Sequence, residues 1–299
     1  MLCIMGTSDG IKKQARDEAH LGSEATRRIP MARYDASATS EEADSVVTEE
    51  PLEIQVGSSP LAVVMRTPGH DEELAVGFLL TEQVVSTFTD IASVRHCTII
   101  SNPEAEDNVI RITLKSGVPF DPEKLQRNLF TSSSCGICGK ASIDRVLKTA
   151  PPLEDESVFP AEYFYDLPDQ LREAQTIFSE TGGLHGAGLF DSTGRLLAAR
   201  EDVGRHNAVD KVVGWALRDG RVPLTNHALM VSGRISFEIV QKGLAARIPV
   251  IAAVSAPSSL AIKLADEAGM TLIGFLRGSG MNVYSQLNRI KGSSGTSDE

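Results

Sequence analysis

With 299 residues, 41% of them hydrophobic and 23% charged, the chain has an ordinary soluble composition and enough length to bury a core without staples. A formal net charge of -11 and the lack of a long lysine or arginine run argue against a nucleic-acid backbone as the main ligand, while a compact anion held locally stays compatible with them. Cysteines at 3, 97, 135 and 138 are too few and too uneven for a disulfide scaffold, and no run reaches the roughly 18 apolar residues of a membrane span, so a cytoplasmic chain without membrane or nucleic-acid partners is expected.

Residues 1–45 mix charged and small side chains without an apolar period and read as a flexible tail. A smaller α+β subdomain is expected over 46–150. In it Leu52, Ile54 and Val56 alternate, Gly57-Ser-Ser-Pro60 turns, and Leu61 to Met65 returns, which predicts a hairpin. Asp71, Glu72 and Glu73 precede a helical stripe running from Leu74 to Val85, and strands follow at 94–100 and 108–114. Cys97, inside the first of these, reads as core packing. Pro151-Pro152 and the acids Glu154, Asp155 and Glu156 mark a boundary. Beyond it, an α/β subdomain over 151–290 is expected from alternating elements. A helix at 168–178 leads to strands at 187–190 and 195–199 around the turn Asp191–Gly194. Strands at 228–231, 250–254 and 271–275 then alternate with helices after 207 and at 235–246 and 258–268. Residues 291–299 read as a second tail.

The dithiol Cys135-Gly-Ile-Cys138 lies among Ser132, Ser133, Ser134, Gly136 and Gly139, and Ile143, Val146 and Leu147 follow at helical spacing. This predicts an accessible loop at a helix mouth, where unpaired N–H groups and the helix dipole favour a thiolate. Structural zinc lacks two further ligands at sensible spacing, so no metal is expected. A zinc deaminase signature is only loosely mimicked by His70-Asp-Glu72 with the dithiol, since Ser134 stands where proline is required. A thioredoxin-like exchanger would carry the motif after a strand in a small domain of its own. An inert surface pair and a thiolate that accepts sulfur as a persulfide both stay open.

Two strands end in small-residue turns that open helices, Val231-Ser-Gly-Arg234 and Ser255-Ala-Pro-Ser-Ser259, and a third ends in Phe275-Leu-Arg-Gly-Ser-Gly280. In a parallel sheet the three share the edge where open α/β folds bind ligands, and Arg234 and Arg277 there suit phosphate. Taken singly, each is equally an ordinary connection. The block Arg200-Glu-Asp-Val-Gly-Arg-His-Asn207 is dense in polar groups and serves either as a salt-bridged helix cap or as a site. His185, within Gly182-Gly-Leu-His-Gly186, is similarly open to a structural or a ligand role.

Ser133-Ser-Cys-Gly-Ile-Cys-Gly139, Thr181-Gly-Gly-Leu-His185, the block from Arg200 to Lys211, Val231-Ser-Gly-Arg234 and the stretch from Phe275 to Tyr284 together resemble the FdhD family, accessory sulfurtransferases of formate dehydrogenase. The resemblance implies a cytidine-deaminase-like fold without zinc chemistry, and an enzyme that takes sulfur from a cysteine desulfurase. The acceptor would be the molybdenum (or tungsten) bis-guanine-dinucleotide cofactor, bound as cargo with GDP as a partial mimic, and the client formate dehydrogenase. It implies a homodimer as well. Carried over by position, Cys135 bears the persulfide and Cys138 is its partner. Phe275, Leu276, Arg277, Gly278, Ser279 and Gly280 match the cofactor-binding stretch, and Arg234 and His206 join them as expected cofactor contacts. A chaperone that holds the cofactor or apo-enzyme, with a redox-sensing dithiol, is the alternative from another class.

Overall fold

A computed structural model describes residues 24–36, 38–97, 108–122 and 139–292; Cys3, Cys135 and Cys138 lie outside these described residues. Its first elements fall inside the expected tail. Strands β1 (Thr26–Tyr34) and β2 (Thr39–Val47) pair antiparallel along their whole length, closed by mutual bonds between Asp35 and Ala38. The sequence hides this hairpin because neither strand alternates apolar with polar side chains, so the ladder and the turn hold it rather than a buried face.

The alternation of Leu52, Ile54 and Val56 does give a strand, β3 (Glu50–Val56), which returns as β4 (Ser59–Arg66) around Gly57 with φ 61°. With β5 (Ile91–His96) and β6 (Val109–Leu114) they form a four-stranded sheet in the order β4-β3-β6-β5. Cys97 lies just past β5 and is half-buried, a strand-end residue rather than the core residue expected. Helix α1 (Asp71–Thr81) packs on this sheet through Leu74, Phe78 and Leu79. It stops four residues short of the predicted stripe because Gln83 takes a left-handed φ of 60°.

Helix α2 (Gly139–Thr149) begins at the residue that follows Cys138 in sequence and buries Ile143 and Val146. After the short strand β7 (Phe159–Pro160), the single helix predicted at 168–178 is two, α3 (Leu167–Ala174) and α4 (Thr176–Thr181), broken at Gln175. A six-stranded sheet follows, built from β8 (His185–Phe190), β9 (Leu196–Asp202), β10 (Ala228–Val231), β11 (Val250–Ala253), β12 (Thr271–Arg277) and β13 (Gly280–Val283). Its order is β13-β12-β11-β10-β8-β9, with β10, β11 and β12 parallel and the flanking strands antiparallel. Helices α5 (Arg205–Arg218), α6 (Phe237–Ala245) and α7 (Ser259–Glu267) cover one face. The other face packs on Phe159, Phe164, Leu167 and Leu171. Period-two alternation sorts the strands between these layers, Leu229 and Ile251 to the first, Met230 and Ala252 to the second. A terminal strand β14 (Ile290–Lys291) pairs with β7. The fold is thus mixed α/β.

The expected boundary near 151 does not divide the core, because one apolar cluster runs from Leu52 to Leu272 and includes α1, α5 and α6. What joins the halves is a helix crossing without side chains at its centre. A Cβ on Gly77 of α1 would sit 1.8 Å from the Asp210 carbonyl oxygen, and one on Gly214 of α5 would sit 1.8 Å from that of Glu73. Below the crossing, buried Lys242 donates to Asp210 at 2.8 and 2.9 Å and to Thr81 at 3.1 Å.

Gly214→Ala is expected to cost about 2–3 kcal/mol of stability or more, since backbone rather than a flexible side chain must give way. Urea unfolding measures it. A loss under about 0.5 kcal/mol, the range of neutral surface changes, would mean that the helices separate freely and that the halves are not welded here.

Candidate functional site

The strand order brings the expected loops to one edge. β10, β11 and β12 all end there, and because β8 and β9 run antiparallel, His185 and Asp202 face each other at the same edge, followed at once by α5. The loops bind one another into a rim. Ile235 N–H donates to Ala256 O at 3.2 Å, Ser258 N–H to Ile235 O at 2.9 Å, and Phe275 N–H to Ser255 O at 3.2 Å. Ser232 is fixed to Gly186 in both directions, its N–H donating at 2.9 Å and its Oγ accepting at 2.8 Å. Gly233 lies against the His185 imidazole, where a Cβ would come within 3.2 Å of Nδ1.

The polar block from Arg200 to Lys211 is tied into the fold by ion pairs and hydrogen bonds, while Gly204 at the N-cap of the following helix makes no side-chain cap bond. Arg200 forks onto Glu73 of α1 at 2.6 and 2.9 Å, and Glu201 accepts the N–H groups of Ile177 and Phe178 at 3.0 and 2.7 Å. Asp202 is wholly buried and accepts from Thr67 N–H, Gly204 N–H and the Asn207 amide, with the Lys211 ammonium 2.7 Å away. Asn207 also donates to Met65 O at 2.7 Å, and Lys211 to Thr67 O at 2.9 Å. These groups tie the end of β4 to the start of α5 and thereby set the rim in place. Leaving one of them out strands a buried charge, which is costlier than losing an exposed one.

Arg205 and His206 turn to the rim. The first turn of α5 carries no acid and opens on Arg205. The buried Nε of Arg205 has no hydrogen-bond partner among the described residues, and neither Arg205 nor Arg234 makes an ion pair among them. Burial, then the charges of Arg205 and Arg234, push the His185 pKa below its ordinary value. Burial, then Arg205 and Lys242, bring that of His206 down to about 4, while its Nε2 lies 3.1 Å from Ser236 Oγ. Two guanidinium groups beside two neutral imidazoles, next to the unpaired N–H groups of a helix start, form an electropositive recess that a phosphate would neutralise.

The stretch Phe275–Gly280 divides. Leu276 is fully buried in the second core layer, so its side chain is unavailable to a ligand, contrary to the expectation from sequence. Arg277 pairs with Gly280 across a tight turn through Gly278 and Ser279, with Gly278 at φ 51°, and this turn is exposed. No hydrogen bond among the described residues links it to Arg234 or His206. Phe275 is 45% exposed and holds φ 53°, a conformation costly for an aromatic residue. Close packing imposes it, since a Cβ on Gly274 would lie 2.8 Å from Pro257.

On the sheet's other face, a cavity of about 520 Å³ reaches His185 and Ser232 from below and is lined by Arg172, Gln175, Phe178 and Met230. The Arg172 guanidinium stacks on Phe178, 4.3 Å from the ring centroid. Sequence reasoning passed over these cavity residues and weighed Arg205 only as part of the block Arg200–Asn207. The cavity depends on the break at Gln175 and has no local signal. The dithiol expectation, Cys135 and Cys138, lies outside the described residues, with α2 starting at Gly139.

A protein-family model described as the FdhD/NarQ family matches residues 47–291. A sulfur carrier protein FdhD from Mycolicibacterium paratuberculosis is 50% identical over 250 residues, 83% of this chain and 92% of that one. One from Streptomyces coelicolor is 50% identical over 270 residues, 89% and 95% of the two chains. An archaeal relative of the same name from Saccharolobus solfataricus is 42% identical over 267 residues, covering 88% and 98%. Among solved structures, a formate dehydrogenase accessory protein from Desulfotalea psychrophila superposes with a TM-score of 0.71 at 25% identity, over 89% of this chain and 100% of that one.

The histidines give the site a pH signature. His70 and His206 are both held to about 4 in the folded chain, against 6.5 when free, chiefly by burial. As pH falls the unfolded chain therefore binds protons first, so the stability tied to the neutral rings is whole above 6.5 and is lost between 6.5 and about 4. NMR titration of the histidine ring signals is expected to show His206 neutral at pH 6. A midpoint near 6.5 would mean that the rim is not desolvated.

Proposed function

The chain belongs to the FdhD/NarQ family, and from that premise we propose that it is a sulfur carrier and sulfurtransferase in the maturation of formate dehydrogenase. Its acceptor is the molybdenum bis-guanine-dinucleotide cofactor, held as cargo. The Cys135 thiolate attacks the terminal sulfur of a cysteine desulfurase persulfide; a new S–S bond forms on Cys135 as the donor's S–S bond breaks and its thiolate leaves. Attack by Cys138 on the Cys135 persulfide then releases the sulfur at the hydrosulfide level and leaves a Cys135–Cys138 disulfide, so the dithiol supplies both electrons.

The observation that carries the cofactor half of this reading is the pair Arg205 and Arg234, which make no ion pair among the described residues, beside neutral His185 and His206. A guanine nucleotide brings the diphosphate that would neutralise it, and exposed Phe275 on the same rim offers a ring for a base to stack on. Arg277, on its exposed turn, reaches the outer phosphate in this reading.

Incubation with a cysteine desulfurase and cysteine, followed by intact-protein mass spectrometry, is expected to show one added sulfur atom that disappears in Cys135→Ala and accumulates in Cys138→Ala. If Cys135→Ala supports dehydrogenase maturation as well as the wild type does, the protein is instead a chaperone of the cofactor or apo-enzyme, with a dithiol that senses redox state.

A further inference from the structure

Beneath the rim, the cavity of about 520 Å³ holds polar groups that neither the sulfur chemistry nor the nucleotide uses. Gln175 ends α3 and is 3% exposed, yet its Nε2 has no hydrogen-bond partner among the described residues. Close packing holds the amide there, since a Cβ on Gly186 would lie 2.7 Å from Nε2. A buried donor in this state calls for an acceptor. One turn earlier, Arg172 lines the same cavity, and its carbonyl oxygen accepts the Gln175 N–H at 3.2 Å. The Arg172 guanidinium lies over the Phe178 ring and makes no ion pair or side-chain hydrogen bond among the described residues. Glu201, whose carboxyl the Arg172 charge reaches, has both oxygens bound to the N–H groups of Ile177 and Phe178.

Residues three apart on a helix stand side by side, so these two side chains can share one anion, the guanidinium supplying charge and the amide a hydrogen bond. Around them the wall is apolar, formed by Leu171, Leu184, Met230 and Val254. One cation and one neutral donor match the single charge and two oxygens of a carboxylate. A phosphate, with more charge and a third oxygen, would be left under-neutralised here and suits the arginine pair of the rim instead. The apolar wall in turn requires a hydrocarbon body. We propose that this cavity binds a small organic monocarboxylate with an apolar body, its carboxylate between Arg172 and Gln175 and its body against Leu171, Met230 and Val254. The volume lies within the range of small-molecule sites. His185 and Ser232 close the cavity toward the rim, so the acid sits back to back with the anion recess as a second ligand. This site does not rest on the sulfur-transfer reading.

Saturation-transfer NMR of the full chain, with benzoate as the probe, tests it. The wild type is expected to bind benzoate at millimolar strength, as one charge-assisted contact and a small apolar body allow. Arg172→Gln and Gln175→Leu are each expected to weaken binding by about tenfold, and benzyl alcohol, which keeps the ring and loses the charge, to bind the wild type more weakly by a similar factor. GDP is expected to leave the benzoate signal in place. No binding by the wild type, equal affinity in either folded variant, or benzyl alcohol held as tightly as benzoate overturns the proposal. Displacement of benzoate by GDP or guanosine also overturns it, since the cavity would then be the pocket of a nucleobase. Arg172 is exposed, so its variant reads the contact even should Gln175→Leu fail to fold. GDP affinity measured on the same samples keeps a failure of the nucleotide reading apart from a failure of this one.

Discussion

Everything at the ligand edge depends on a helix crossing too close for a methyl group. Gly77 and Gly214 let α1 and α5 meet backbone to backbone, and this brings the end of β4 against the first turn of α5. There the buried Asp202 collects Thr67, Gly204, Asn207 and Lys211. A carboxylate without water is stable only with such a set of donors, and the donors come from segments far apart in sequence. Helix crossing and buried charge therefore specify the same arrangement, and its visible product is the direction in which Arg205 and His206 point.

That arrangement accounts for the anion site proposed on this strongly acidic protein. The recess gathers two guanidinium groups that make no ion pair among the described residues, with Glu238 as an acid that the Arg205 charge reaches, while burial keeps the neighbouring imidazoles uncharged. Neutral rings can accept or donate hydrogen bonds without adding repulsion among the cations, so a diphosphate would find a fixed set of partners.

Much of this was legible from the sequence where local pattern and tertiary environment agree. The alternation of Ile54 and Val56, the helix after Arg205, and the three parallel strands that share an edge all follow from period and turn chemistry. The pattern was silent where structure rests on non-local contact. Leu276 reads as part of a loop motif but is drawn into the core, because β12 continues past its last pairing with β11 at Ile273. The β1–β2 arm has no apolar face to announce it, and the break at Gln175 that opens the cavity answers to packing on the sheet. The block Arg200–Lys211 was visible as dense, yet only the fold separates its internal ties from the pair at the rim.

The central claim is that this rim receives the guanine nucleotide end of the cofactor independently of the sulfur-bearing thiol. Isothermal titration calorimetry with GDP tests it most directly. The wild type and Cys135→Ala are predicted to bind alike, and Arg205→Gln with Arg234→Gln to lose affinity by about tenfold or more, as the removal of charge-assisted phosphate contacts requires. Equal affinity in the arginine variant, or no binding by the wild type, would contradict the account.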